Sequence, residues 1–523
     1  MNPKSKVLLI ILDGWGLSAV DYGNAPLSAK TPILDYVYAT YPKTSLSASG
    51  LEVGLSAGEN GNSEVGHLNL GSGRIVWENL PRIDQAIASG EFAKNQVLVN
   101  AFTNVKQNNS ALHLVGIVSD GGVHGHINQL LALIKIAADY QVKNLFVHFI
   151  SDGRDTQPKA AKLYADQVEA ALKKYRVGRI ATLIGRYFAM DRDKNTDRIE
   201  KAYNLLVKNI GESFPSIDKA IEANYQYGKS DEFFEPAVIG DGGTIQANDS
   251  VIFLNYRSDR IRQLSDYFYK PEFKDKVPAP LYAATMTRYR KDQTIPPIFE
   301  PINLNNALGQ IISEKKLSQS HLAETEKFAH VTYFFNANIE KPYDGESDII
   351  VPSKKVATYD LAPEMSAVEI SGELEKSIAA NSDFIVVNYA NGDMVGHSGV
   401  WEATVRACET VDACLGNVLK KASDYGYKTF ITADHGNCET MIDELTRTPN
   451  KEHTTNPVPF VFLDFPKKPF APAPTVFSKE DYFQYAAGTP IGVLADIAPS
   501  VLANLNVPQP DDISGMDLSV AMI

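Results

Sequence analysis

Cysteine is scarce in this chain: Cys408, Cys414 and Cys438 are the only three in 523 residues. So few exclude a disulfide framework, and their spacing fits no zinc pattern. Basic charge is not in excess either. Fifty Lys and Arg face 63 Asp and Glu, a formal net charge of −13, which argues against a general binder of nucleic acid or anionic membrane. No apolar stretch approaches the roughly 18 residues of a membrane span. The run Val7–Leu12 follows Lys4 and Lys6 as the core of a signal sequence would. It is too short for that, ends in Asp13-Gly14-Trp15-Gly16 and lacks a small-residue cleavage site, so it reads as a buried parallel strand. Also missing are Gly-x-x-x-x-Gly-Lys-Ser/Thr, Gly-x-Gly-x-x-Gly and His-Glu-x-x-His, and with them the main support for nucleotide, dinucleotide and zincin chemistry. The expectation is a soluble protein of a reducing cytoplasm, with no nucleic-acid or membrane partner.

What is present is a globular composition, 44% apolar and 22% charged, in a chain long enough for two large units or about three of ordinary size. Short β-branched or aromatic runs end in small polar residues and are followed by helical stretches. Val7–Leu12 ends in Asp13, Leu112–Val118 in Ser119-Asp120-Gly121-Gly122, and Leu145–Ile150 in Ser151-Asp152-Gly153-Arg154-Asp155. An amphipathic segment from Ile127 to Tyr140 lies between the last two, the layout of one βαβ unit. Further strands are expected at Ile180–Ile184, Val251–Tyr256, Leu281–Thr285, Val331–Phe335, Phe384–Asn388 and Thr429–Thr432. The alternation predicts an α/β protein with mostly parallel sheets flanked by helices. Ligands should gather at the carboxyl ends of the strands. A stiff crossing at Ile295–Pro301 and a break around Trp77–Pro81 suggest a domain of about residues 80–300 inserted into one built from both chain ends. Pro466–Pro474 reads as a proline-rich surface loop.

The densest chemistry lies in the C-terminal third. Asp393 and His397 stand four apart in Asn391-Gly392-Asp393-Met394-Val395-Gly396-His397, so one helical turn lets a carboxylate and an imidazole hold one cation. Asp434 and His435 follow the strand Thr429–Thr432, and His453 opens the loop His453-Thr454-Thr455-Asn456-Pro457. Carboxylate and imidazole without cysteine suit Mn²⁺, Zn²⁺ or Mg²⁺. Ser63, in Glu59-Asn60-Gly61-Asn62-Ser63-Glu64-Val65-Gly66-His67, could be presented on a strained loop as a metal-activated nucleophile, with Asp13 as a further ligand. Taken alone, Ser63 reads as a turn hydrogen bond. Arg154, Arg186, Arg192, Arg257 and Arg260 fall just after strands and would suit a small doubly anionic substrate, with His124 and His126 as hydrogen-bond donors. Lys327, placed before the expected strand Val331–Phe335, could reach phosphate.

Taken in order, LDGWG (12–16), GNSEVGH (61–67), SDGRD (151–155), ETEKFAHVTYFF (324–335), NGDMVGH (391–397), TADHGN (432–437) and HTTNPVP (453–459) resemble the 2,3-bisphosphoglycerate-independent phosphoglycerate mutases, a family of the alkaline phosphatase superfamily. The resemblance implies a phosphatase-like, metal-binding domain at 1–77 and 305–523 and an inserted substrate-binding domain at 80–300. It implies that Ser63 becomes phosphorylated while 3-phosphoglycerate and 2-phosphoglycerate interconvert. It implies two divalent ions, Mn²⁺ expected and Mg²⁺ or Co²⁺ alternatives, and no bisphosphoglycerate. One ion would be held by Asp393, His397 and His453, the other by Asp13, Ser63, Asp434 and His435. Substrate contacts would be His124, Arg154, Asp155, Arg186, Arg192, Arg257, Arg260 and Lys327. Lys327 would neutralise charge, Asp155 would shuttle the glycerate hydroxyl protons, and a monomer is expected. Against that resemblance, the segment from Pro466 to Gly488 is longer than the family's usual link. A phosphopentomutase or metal-dependent phosphatase is the nearest rival, and a catalytically silent metal- and anion-binding protein the rival of another class.

Overall fold

The computed structural model describes residues 5–443, 445–473 and 477–520. The end of the Pro466–Pro474 loop, Pro474, and residues 475–476 of the longer 466–488 segment lie outside them. The chain divides into two compact units, Met1–Glu78 with Asn303–Ile523, and Asn79–Ile302. Each carries one eight-stranded sheet.

The first unit begins with β1 (Val7–Leu12) and β2 (Lys43–Ser47). The second holds β3 (Ala111–Ile117), β4 (Asn144–Ser151), β5 (Arg179–Gly185), β6 (Glu212–Phe214), β7 (Ala237–Ile239), β8 (Ser250–Phe253), β9 (Tyr282–Thr287) and β10 (Pro297–Phe299). The first then resumes with β11 (Gln319–Glu324), β12 (Glu346–Val351), β13 (Phe384–Tyr389), β14 (Lys428–Thr432), β15 (Val458–Asp464) and β16 (Gly492–Val493).

In the first unit the strand order is β12-β11-β13-β1-β14-β15-β2-β16. The five strands from β12 to β14 are parallel, and β15 is antiparallel to both its neighbours. Every residue of β1 and β13 is buried, as expected of parallel strands covered by helices on both faces. The register pairs Leu12 with Tyr389 and Ile11 with Thr432. Asp13, the segment from Ala390 and the Ala433-Asp434-His435 turn therefore leave the sheet at one edge. In the second unit the order is β10-β9-β8-β3-β4-β5-β7-β6, parallel except between β5 and β7. Its strand ends likewise bring Ser119, Asp152, Arg186 and Asn255 to one edge. Among the described residues no helix is long and apolar enough to cross a membrane.

Three expectations need correction. Val331–Phe335 is not a strand; a π-helical turn covers His330–Phe334, because a short aromatic and β-branched run does not distinguish a buried turn from a strand. The strand there is β11, whose polar sequence QSHLAE hid it. Its Gln319 amide donates to the Gly309 carbonyl at 2.9 Å, and the His321 ring meets the Val331 carbonyl at 2.7 Å, so both polar side chains are buried and satisfied. Lys327 thus follows a strand rather than preceding one, in the turn Thr325–Lys327. Third, Ser63 stands on no strained loop. It is the first residue of the helix Ser63–Ser72, capped by Asn62, whose side chain accepts from the Val65 amide at 2.9 Å. The proline-rich crossing contains the edge strand β10, a position where proline is tolerated.

Candidate functional site

At the carboxyl edge of the first sheet the side chains of Asp13, Asp393 and Asp434 are all buried. Among the described residues one ammonium group is buried with them: Lys327 Nζ lies 2.7 Å from Asp13 Oδ1, 2.7 Å from Asp393 Oδ2 and 2.6 Å from Ser63 Oγ. Burial alone would lower the pKa of Lys327, but Asp13, Asp393 and Asp434 raise it well above the ordinary lysine value. The other side of that balance falls unevenly. Burial and the neighbouring Asp434 raise the pKa of Asp13. Against the effect of burial, Lys327, His397 and His453 hold Asp393 low, and His435 and His67 hold Asp434 low. Three buried carboxylates against one lysine leave an excess of negative charge, which a protein interior tolerates only with further cations or protons.

The histidines show where a cation would go. His397 Nδ1 meets the Lys451 carbonyl at 2.7 Å and His453 Nδ1 meets the Gly61 carbonyl at 2.8 Å. Both Nδ1 atoms face acceptors and carry a proton, so in the neutral rings both Nε2 atoms present lone pairs. Those Nε2 atoms are 3.0 Å apart and lie 3.2 and 3.1 Å from Asp393 Oδ1. Three electron-pair donors converging at this spacing fit one divalent ion. Beside them, Ser63 Oγ is 2.8 Å from His435 Nε2 and 3.5 Å from Asp13 Oδ1. Asp434 Oδ2 lies 3.5 Å from His435 Nε2. The donor set of Asp13, Ser63, Asp434 and His435 therefore fits a second ion. A further group with cation-ligand spacing is His321, Glu346 and Asp348, where His321 Nδ1 meets the Val331 carbonyl at 2.7 Å and Nε2 lies 3.2 Å from Gln319 Oε1.

Two residues in this cluster were given no role by the sequence. His67 Nδ1 lies 2.9 Å from the Ser63 carbonyl and 3.2 Å from Asp434 Oδ2. Asn388 Nδ2 reaches both His67 Nε2 at 3.0 Å and Asp13 Oδ2 at 2.6 Å. Together they tie the aspartate after β1 to the aspartate after β14. The available signal was an asparagine breaking the otherwise apolar run of β13.

In the second unit the expected substrate residues gather at the ends of β3, β4, β5 and β8. Arg186 is buried and bridges Asp152 Oδ1 at 2.7 Å and Asp155 Oδ2 at 2.5 Å. Ser119 donates to Asp152 Oδ2 at 2.6 Å. His124 lies 4.0 Å from Asp155 and 3.6 Å from Asp259. Burial and then the Arg186 charge bring its pKa down to about 4, so it is a neutral imidazole at pH 7. Arg257 and Arg192 lie on Asp259 at 3.3 and 3.5 Å, and Arg154 on Glu232 at 3.3 Å, all three about half exposed. Burial, followed by the charges of Arg192, Arg186 and Arg154, lowers the pKa of Arg260. Guanidiniums crowded this closely attract a carboxylate or phosphate. His126 has a plainer role: its ring accepts from the Asn128 amide and caps the helix Ile127–Asp139.

A protein of Clostridium novyi (strain NT) named 2,3-bisphosphoglycerate-independent phosphoglycerate mutase is 47% identical over 98% of this chain and 99% of its own. The chain belongs to that family. A Clostridium beijerinckii protein of the same name is 45% identical over 99% of both chains. The family profile described as BPG-independent PGAM N-terminus matches residues 83–291, within the second unit. Among solved structures, a Leishmania mexicana phosphoglycerate mutase, described at low cobalt concentration, superposes with a TM-score of 0.54 at 28% identity, covering 98% of this chain and 97% of that one. Membership makes the chain an enzyme of the isomerase class, and the alternation of strands and helices described above is that of its mutase relatives.

Proposed function

We propose that the chain interconverts 3-phosphoglycerate and 2-phosphoglycerate without bisphosphoglycerate, through a phosphoserine on Ser63 and with two divalent ions. The observation that carries the reading is the position of Ser63 Oγ. It sits at the first residue of a helix, 2.6 Å from the Lys327 ammonium and 2.8 Å from His435 Nε2. The helix N-terminus and Lys327 favour a phosphoryl group at that point. Asp393, His397 and His453 would hold one ion, and Asp13, Ser63, Asp434 and His435 the other. Bound there, divalent ions supply charge neutralisation for phosphoryl oxygens and a lowered pKa for the serine hydroxyl. Oxygen and nitrogen ligands without sulfur suit Mn²⁺, with Mg²⁺ or Co²⁺ as alternatives.

In the forward direction Ser63 Oγ attacks phosphorus. The Oγ–P bond forms as the bond from phosphorus to the C3 oxygen breaks, and the hydroxyl proton leaves toward the Asp13 carboxylate, 3.5 Å from Ser63 Oγ. Lys327 offsets the charge that develops. The C2 hydroxyl of glycerate then attacks the phosphoserine and Ser63 is restored. Asp155, oriented by Arg186, is assigned proton transfer at the glycerate hydroxyls. His124, Arg154, Arg186, Arg192, Arg257 and Arg260 are assigned the anionic ends of the substrate. We place the enzyme in glycolysis and gluconeogenesis, as a cytoplasmic monomer. The test is isomerisation by metal-stripped protein given back Mn²⁺, with no bisphosphoglycerate and with free phosphate assayed in the same tube. Metal-dependent isomerisation with little phosphate released is expected. Phosphate release without isomerisation would make the chain a phosphatase and overturn the proposal.

A further inference from the structure

Glu439 lies two residues beyond Asn437 and is buried, yet no step above uses it. Its carboxylate gathers donors from three separate segments. Oε2 accepts the amide of Gly16, after β1, at 3.1 Å and the amide of Asn437, after β14, at 2.8 Å. Oε1 accepts the Thr454 hydroxyl and, at 2.9 Å, the side-chain amide of Asn456. The approach is close enough to explain two glycines in the motifs. A Cβ at Gly16 would lie 2.3 Å from the Glu439 carboxyl carbon, and one at Gly436 would lie 2.5 Å from Oε1.

Two routes out of this carboxylate reach the Asp393, His397 and His453 group. Thr454 is the chain neighbour of His453, and the bridge between Gly436 and Thr454 ties its loop to the Asp434-His435 turn. Asn437, whose backbone Glu439 holds, donates from its side chain to Asp393 Oδ1 at 3.0 Å. By contrast, Asp13 and Asp434 are tied together through His67 and Asn388, which do not contact Glu439 in any of the bonds above.

We propose that Glu439 is a positioning residue that sets the geometry of the Asp393, His397 and His453 group without being one of its ligands. The inference rests on the reading that this group holds a divalent ion. Removing the carboxylate leaves the buried Gly16 amide and the buried Thr454 hydroxyl without their acceptor, while the Asn437 amide keeps only the Gly14 carbonyl at 2.9 Å, so the His453 loop loses its anchor. Outer partners of this kind change metal affinity by about 10- to 100-fold.

The test is direct Mn²⁺ binding to metal-stripped protein, read from free Mn²⁺ by electron paramagnetic resonance, with melting temperatures taken in parallel. Wild type should bind two ions. His453→Ala and Glu439→Ala should both keep one ion at unchanged affinity and weaken the other, by 10-fold or more for Glu439→Ala. Glu439→Gln, which retains an acceptor for the two backbone amides, should weaken the same ion only a few-fold. Two ions bound by Glu439→Ala with wild-type affinity would overturn the proposal. So would an equal fall at both sites, the mark of a merely structural role. If Glu439→Ala does not fold, Glu439→Gln decides, and wild-type binding by that variant would overturn the proposal. Wild type that binds no Mn²⁺ would overturn the two-ion reading itself, with His453→Ala then indistinguishable from it.

Discussion

The two polar clusters follow the same topological rule and are built from opposite chemistry. In the first unit the strand ends carry buried acceptors, three carboxylates and imidazole lone pairs, with one lysine among them. In the second unit the strand ends carry guanidiniums, three of them about half exposed, over a few carboxylates that hold them in place. A buried, acceptor-rich group is preorganised and selects cations, because its charge is unbalanced before anything binds. An exposed, donor-rich group selects anions and gives up little when one side chain is lost. Under the proposed function the carboxyl edge of one sheet would be a reaction centre and that of the other a recognition surface.

The largest effect that would break this contrast is at Ser63. Ser63→Ala should lower isomerisation by at least about 10⁴-fold, as loss of a nucleophile does, while Arg257→Ala should raise KM by about tenfold, near 1.4 kcal/mol of binding, with a wild-type melting temperature. Initial rates over a range of substrate concentrations separate the two. Equal losses in kcat would erase the distinction between reaction centre and recognition surface.

Next in size is the buried exception within the exposed cluster. Arg186→Ala leaves Asp152 and Asp155 without their shared cation, and removal of one partner from a buried pair costs about 3–5 kcal/mol. Urea unfolding should show this in the second unit, whereas Arg192→Ala should be close to neutral.

Metal should stabilise the first unit in a pH-dependent way. Hydrogen bonding to Asp393 raises the pKa of His397, and Asp393 raises that of His453 against the effect of burial. A raised folded-state pKa contributes stability below the unfolded value and loses it as pH rises through the folded value. Mn²⁺ competes with those protons. The rise in melting temperature on adding Mn²⁺ should therefore grow as pH goes from mildly acid to mildly alkaline. A constant rise would contradict the assignment of these imidazoles as ligands.

A further effect concerns His124, held near 4 by burial and Arg186. Its folded pKa lies below the ordinary histidine value, so its contribution is full above about pH 6.5 and is lost as pH falls toward 4. His124→Asn should flatten stability against pH in that window by up to about 1.4 kcal/mol per pH unit.

Much of this architecture can be read from the sequence where a strand is apolar on both faces. The run Val7–Leu12 is β1 to the residue, and Thr429–Thr432 and Phe384–Asn388 miss one residue each of β14 and β13. Legibility fails where burial is achieved by hydrogen bonds. β11 buries Gln319 and His321 through side-chain partners that no local pattern reveals, and the aromatic run beside it has the stronger strand pattern. The site divides similarly. Asp13, Asp393, His397, Asp434 and His435 can be picked out because carboxylate and imidazole residues follow strands there, and His453 because it opens a loop near them in sequence. His67 and Asn388 act through partners hundreds of residues away in sequence, and only the folded register brings them together.

The most direct test of the central claim is to quench the enzyme during turnover with Mn²⁺ and phosphoglycerate and locate covalent phosphate by peptide mass spectrometry. Phosphate on Ser63 in wild type, absent in Ser63→Ala and absent without metal, is the predicted result. Isomerisation that continues with phosphate on another residue, or on none, would contradict the account.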